Sequence, residues 1–246
     1  LKDIAVSILI LTYNRFSLTK RCVSALLEKI GPVSNEVLIW DNCSNDGTYD
    51  WLEEIGRADC RITEVFGSDE NIGMQAINHL AKRAKGKYIL KVDDDVEVPE
   101  NFASRLVTAY EQAKEDKLLF LGWDMQWGEK TFATRSGMKL YKGEMGKIIR
   151  VGRSDRIFVH YTPSFWMVNG VCRLSPRDKF LEIGGHPEGM IYGVDHHVSK
   201  RAENHGYWIG YFSSKDLVIH LGHSDTADYR KKKNKELKKH GSPLHV

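Results

Sequence analysis

The sequence predicts an α/β fold in which a mostly parallel central sheet is flanked by helices. Three observations predict it. Strand-like and helix-like patterns alternate four times in the first hundred residues, the pattern of a parallel sheet covered on both faces. Residues Ala5 to Leu11 form a nearly continuous apolar, β-branched run, as expected of a strand buried on both sides. Each strand-like run also ends in polar residues: Thr12 and Asn14, then Asp41, then Asp93 to Asp95. On a doubly wound sheet such ends meet along one edge, where open α/β sheets bind ligands.

The elements follow in order. After the first strand, Leu18, Cys22 and Leu26 share a stripe, with Val23, Leu27 and Ile30 beside it. This predicts a helix with Ser17 as N-cap and Gly31-Pro32 as its stop. Glu36 to Trp40 reads as the second strand, and Asp46-Gly47 as a turn. A short helix over Tyr49 to Ile55 is expected to stop at Gly56. Ile62 to Phe66 is the third strand. Asn71-Ile72-Gly73 opens a helix with Ile77, Leu80, Ala81 and Ala84 on one face, and its last turn carries Lys82, Arg83 and Lys85, which suits the helix dipole.

The fourth strand, Tyr88 to Val92, runs straight into Asp93, Asp94 and Asp95, and Pro99 ends further pairing. Three adjacent carboxylates repel one another, and a hard divalent cation is the natural compensation. An idle acidic turn is the plainer alternative.

Composition bounds the class. The 246 residues are 41% hydrophobic, enough for one large domain or two small ones. The formal charge of +3, from 36 basic and 33 acidic residues, does not announce a nucleic-acid binder. Cys22, Cys43, Cys60 and Cys172 form no CxxC pair, which argues against a zinc cage or a disulfide framework. No apolar run near the start spans a bilayer, and no signal peptide is evident. The expectation is a cytoplasmic protein, with contact to a membrane surface left open.

Thr12-Tyr13-Asn14-Arg15, Asp41-Asn42-x-Ser44-x-Asp46-Gly47-Thr48, Asn71-Ile72-Gly73 and Asp93-Asp94-Asp95, in that order, resemble the signatures of family 2 glycosyltransferases, which have the GT-A fold. The resemblance is specific over residues 4–115, weak over 116–175 and moderate over 176–225. It implies a single GT-A, Rossmann-like domain with an irregular acceptor-side second half. Residues 1–115 would bind the nucleotide sugar, 116–225 would bind acceptor and carry catalysis, and 226–246 would form a basic tail. It further implies that Asp41 accepts the N–H of a uracil-type base, that Thr12, Tyr13, Asn14, Arg15 and Asn71 border the nucleotide, and that Asp93 and Asp94 touch ribose and sugar hydroxyls. Asp95 would hold Mn²⁺ or Mg²⁺ on the diphosphate of a UDP-sugar. Plainer roles stand beside these: an Asx-turn for Asp41, a helix N-cap for Asn71.

In the second half, Glu100 to Lys114 reads as a helix and Lys117 to Gly122 as a strand. Residues 123–160 read as irregular, with Arg150, Arg153 and Arg156 as a solvated basic edge or an acceptor contact. Phe165 to Ser175 reads as a strand pair or one bent strand. Gly193-Val194-Asp195-His196-His197 resembles the family's acidic loop, with Val194 and His197 in place of two of its acids. Asp195 is the expected general base, with His196 and His197 as rivals and a helix N-cap as the plainer role. The resemblance implies an inverting transfer, and the lack of the family's processive Gln-x-x-Arg-Trp element and membrane-spanning runs in this sequence makes a non-processive one the expectation. Asp216 to Leu221 is a last strand, and His220, rather than His223, is the expected second metal ligand. The run from Arg230 to Lys239 is a solvated tail or an attraction to an anionic surface. The acceptor stays unidentified: glycan, lipid, protein or modified nucleic acid. The competing function is a metal-dependent nucleotidyltransferase or phosphohydrolase.

Overall fold

The computed structural model describes residues 3–127, 146–161, 168–190 and 193–221. Six helices and twelve strands fall among them. The first half alternates: β1 (Val6–Thr12), α1 (Phe16–Lys29), β2 (Asn35–Asp41), α2 (Thr48–Ala58), β3 (Ile62–Gly67), α3 (Gln75–Arg83) and β4 (Tyr88–Asp93). Then come β5 (Val96–Glu97), α4 (Phe102–Ala113), β6 (Leu118–Trp123), β7 (Met125–Trp127), β8 (Gly146–Val151) and β9 (Asp155–His160). The chain continues with β10 (Cys172–Pro176), α5 (Arg177–Glu182), α6 (Val194–Asn204), β11 (Trp208–Ser213) and β12 (Val218–His220).

Nine strands form one sheet in the order β3-β2-β1-β4-β10-β6-β11-β9-β8. Strands β3, β2, β1 and β4 are parallel, and β11 runs parallel to β6. Only β10 and β9 run against the rest. A second sheet, β5-β12-β7, has three short strands.

Side-chain alternation explains the two layers. Val6, Ile8 and Ile10 of β1 pack with Val23 and Leu26 of α1, Leu52 of α2 and Phe102 and Leu106 of α4. The intervening Leu9 packs with Ile77 and Leu80 of α3, Phe180 of α5 and Val198 of α6. Burying each such side chain contributes roughly 1.5–3 kcal/mol, so both faces of β1 favour a central place in the sheet.

Several boundaries differ from the sequence reading. Ser17 lies inside α1 and does not cap it; the Phe16 N–H donates to Asp46 Oδ2 at 2.9 Å. Helix α2 runs through Gly56, where a Cβ would sit 3.2 Å from Val65 Cγ2, so the glycine serves packing against β3. Helix α3 begins at Gln75, and Asn71 is not its cap. Residues 146–160, read as irregular, form a hairpin that extends the sheet, with Arg150 opposite Arg156. Strand β11 has no counterpart among the expected elements, and of the segment 165–175 the described part gives a strand at Cys172–Pro176. The last strand covers Val218–His220 and joins the small sheet. Phe165, Trp166 and Met167, His223 and the basic tail lie outside the described residues. No described helix is long and apolar enough to cross a membrane.

Candidate active site

Register brings the polar strand ends together. Thr12 pairs with Asp41 across β1 and β2, and Leu11 with Asp93 across β1 and β4. Asp41 and Asp93 therefore stand two strand spacings apart, roughly 10 Å, on one edge.

Beside Asp41 lies a cavity of about 630 Å³, bordered by Ser44, Tyr49, Asp50, Ser68 and Asp69. The Asp41 carboxylate is 1% exposed, and its Oδ1 accepts the Ser44 N–H at 2.7 Å. Its Oδ2 is buried with no hydrogen-bond partner among the described residues. A buried acceptor left unpaired costs about 1–3 kcal/mol, so this oxygen is suited to an incoming N–H. The surrounding loops are tied together. Asn14, in the left-handed region at φ 49°, accepts the Asn45 N–H and donates its own N–H to Ser44 Oγ, both at 2.8 Å. Asn71 Oδ1 accepts from Asn42 Nδ2 at 2.8 Å and from the Gly73 N–H at 2.9 Å, which makes it the lock of its own loop. Tyr13 is 45% exposed at the loop tip. Thr12, expected on the nucleotide wall, is instead buried and bonded to Thr19 Oγ1 at 2.7 Å.

The acidic triplet divides by side-chain direction. Asp94 turns inward, where Thr19 Oγ1 donates to it at 3.2 Å and Arg15 lies 3.3 Å away. Asp93, Asp95 and His220 bring ligand atoms within 4.8 Å of one another. The Leu221 N–H donates to the Asp95 carbonyl at 2.7 Å, and His220 pairs with Val96, so the small sheet delivers the histidine. Arg15 lies 2.6 Å from Asp95, and Lys91 contacts Asp93. Burial, outweighing Arg15, pushes the Asp94 carboxyl up to about 6. Burial and then the Asp93 charge push Asp95 up to about 6. Burial lowers the His220 pKa, so its imidazole is neutral at pH 7. Among the described residues Arg15 and Lys91 contact the triplet, and the oxygen-plus-imidazole donor set of Asp93, Asp95 and His220 fits a divalent metal ion.

Asp195 is the second residue of α6, after Gly193 at φ 74°. It does not cap the helix. Its Oδ2 accepts the Gly170 N–H at 2.8 Å, and its Oδ1 lies 3.3 Å from Arg173. Gly170 sits between Asp195 and Lys91, which ties Asp195 to the Asp93 side of the edge. His196 and His197 stack edge to face with each other at 5.7 Å. Sequence reasoning missed Lys91 and Arg173. The signal was a single cation inside each buried strand, which must find a partner.

The chain matches the model of glycosyl transferase family 2 over residues 7–170. Glycosyltransferase AglE of Haloferax volcanii is 25% identical over 207 residues, covering 82% of this chain and 62% of AglE. The chain spans between 35% and 62% of the length of the curated relatives it matches. Among solved structures, mannosyltransferase PcManGT from Pyrobaculum calidifontis, in complex with GDP-Man and Mn²⁺, superposes with a TM-score of 0.68 at 15% identity, over 98% of this chain and 65% of that one. TarS 1-349 of S. aureus, in complex with UDP-GlcNAc, gives 0.66 at 17% identity, over 91% and 60%. These likenesses give the GT-A fold.

Proposed function

The chain belongs to glycosyl transferase family 2, and on that premise we propose that it moves a sugar from a nucleotide-diphosphate sugar to an acceptor hydroxyl. The observation that carries this reading is the meeting, on one sheet edge, of the orphaned Asp41 oxygen and the Asp93, Asp95 and His220 group. Asp41 has one open oxygen, which matches a base offering one N–H, so a UDP-sugar is the expected donor. Asp93, Asp95 and His220 would hold Mn²⁺ or Mg²⁺, which supplies positive charge for the donor diphosphate. Among the described residues, Asp195 accepts from Gly170 and Arg173 alone, which leaves it lone pairs for a proton. As general base it accepts the acceptor's proton while the acceptor oxygen bonds to the anomeric carbon. The bond from that carbon to the diphosphate breaks on the opposite side, its electron pair leaves with the diphosphate, and the configuration inverts.

Incubation with a panel of UDP- and GDP-sugars and Mn²⁺ tests the reading. The expected result is slow release of nucleoside diphosphate from one donor, lowered roughly hundredfold or more by Asp195→Asn and lost in Asp95→Ala. Release of sugar 1-phosphate, with nucleoside monophosphate either freed or passed to an acceptor, contradicts it in favour of phosphohydrolysis or nucleotidyl transfer.

A further inference from the structure

Arg173 is a charged side chain in a place that excludes water: it is 2% exposed, on a strand between β4 and β6. A buried charge is costly unless its partners are well placed, and the partners here form a chain. The guanidinium lies 3.3 Å from Asp195 Oδ1 and 3.1 Å from His186 Nε2, and it sits over the Phe120 ring at 4.5 Å. Arginine has only donors, so His186 Nε2 is the acceptor and the neutral imidazole carries its proton on Nδ1. Burial, reinforced by the Arg173 charge, holds the His186 pKa well below 6.5. His186 is itself fixed from α3: its N–H donates to Asn78 Oδ1, and its carbonyl accepts from Asn78 Nδ2, both at 2.8 Å.

The arrangement is poorly explained by stability alone. His186 Nδ1 is buried with no partner among the described residues, and an orphaned polar group of this kind is a net cost. Apolar residues at 173 and 186 would avoid both this cost and the buried charge. What the chain achieves is placement. Asp195 is on the first turn of α6, with a side chain 35% exposed and free to change rotamer without a clamp. Arg173 holds one oxygen and the Gly170 N–H the other. Gly170 also leaves no slack, because a Cβ there would stand 2.7 Å from Asp195 Oδ1 and 3.1 Å from Lys91 Nζ.

We propose that Arg173 is a positioning residue for Asp195, oriented in turn by neutral His186, so that a buried Asn78–His186–Arg173 chain sets where the base stands against the donor-binding edge. The proposal rests on the reading of Asp195 as general base. A displacement of about 1 Å at a reacting group can cost roughly a hundredfold in rate, and this sets the expected size of the effect.

The test uses a double-mutant cycle with the donor that the panel identifies. Nucleoside diphosphate release and Mn²⁺-dependent UDP or GDP affinity are measured for Asp195→Asn, Arg173→Met and the double variant. Arg173→Met should lower turnover about a hundredfold while nucleotide affinity stays within about twofold, and the double variant should be no slower than Asp195→Asn alone. His186→Leu should slow turnover, and His186→Gln, whose amide oxygen can accept from Arg173, should restore most of it. The histidine pair carries the test if Arg173→Met fails to fold, as judged by thermal unfolding. Multiplicative losses in the double variant, or wild-type turnover in His186→Leu, overturn the positioning role. Full turnover in Asp195→Asn, or no donor turned over by the wild type, removes the reading beneath it.

Discussion

Asp41 has one oxygen committed to the Ser44 N–H and one left over. Asp41→Asn keeps the size and the first bond but can turn an NH₂ toward the incoming N–H. A hydrogen bond to a charged group is worth about 1.5–3 kcal/mol, so UDP affinity should fall by roughly ten- to a hundredfold. Isothermal titration calorimetry checks this, and unchanged affinity would mean that the orphaned oxygen does not meet the base. Asp95 makes a second prediction, in pH. Burial and then Asp93 raise its carboxyl to about 6, so below that pH a metal ion must displace a proton. Mn²⁺ affinity should be flat above pH 6 to 7 and fall by about tenfold per pH unit below it. Electron paramagnetic resonance titration of free Mn²⁺ at pH 5, 6 and 7.5 reads this, and a flat profile to pH 5 would contradict a raised Asp95 carboxyl among the ligands.

Among the elements, the loop after β2 does two jobs. Asp46 Oδ2 accepts the Phe16 N–H that starts α1, while its Oδ1 accepts the Thr48 N–H and hydroxyl at the start of α2. One carboxylate thus caps two helices and ties the loop beside the cavity to the loop after β1. Partial burial raises the Asp46 pKa, but the bonds from Thr48 and Phe16 outweigh that and hold it below 3.8. The stability they confer is present above pH 3.8 and is lost as pH falls through the lower native value. Asp46→Ala should cost about 1–2 kcal/mol at pH 7 by the usual worth of a cap, and the gap from wild type should close at acidic pH. Urea unfolding at pH 7 and pH 3 measures it; an equal gap at both would assign the effect to something other than the ionised cap. The sequence showed Asp46-Gly47-Thr48 as a turn and a helix start, but not that α1 borrows the same carboxylate from 30 residues away. Capping across loops leaves no local pattern, and this is why Ser17 was the expected cap.

At the scale of the molecule, what could be read in advance was what local period and punctuation encode. Strands β1, β2 and β4 are apolar runs with polar ends, and their parallel pairing places Asp41 and Asp93 on one edge as the sequence implied. Three things were hidden. The small sheet that carries His220 to Asp95 consists of strands of two and three residues, too short for any periodicity. The hairpin β8–β9 sets Arg150 directly opposite Arg156, a like-charge pair that a strand reading disfavours. Lys91 and Arg173 meet because β10 inserts antiparallel beside β4 and makes them register partners, a non-local pairing that no spacing announces. Trp123, by contrast, serves packing: it is fully buried against Phe212, with its N–H donated to the Asp216 carbonyl at 2.9 Å. The nine-stranded sheet is thus a frame on whose edge separate segments gather Asp41 with Asp93, Asp95 and His220.

The claim at the centre is that nucleotide and metal ion bind there together. UDP and GDP binding should therefore be measured by calorimetry, with and without Mn²⁺, in the wild type, Asp95→Ala and His220→Ala. The account predicts that Mn²⁺ tightens binding of one of the two nucleotides at least about tenfold in the wild type, through the charge it adds beside the diphosphate, and has no such effect in either variant. Equal affinity with and without Mn²⁺ in the wild type, or full tightening in both variants, would contradict it.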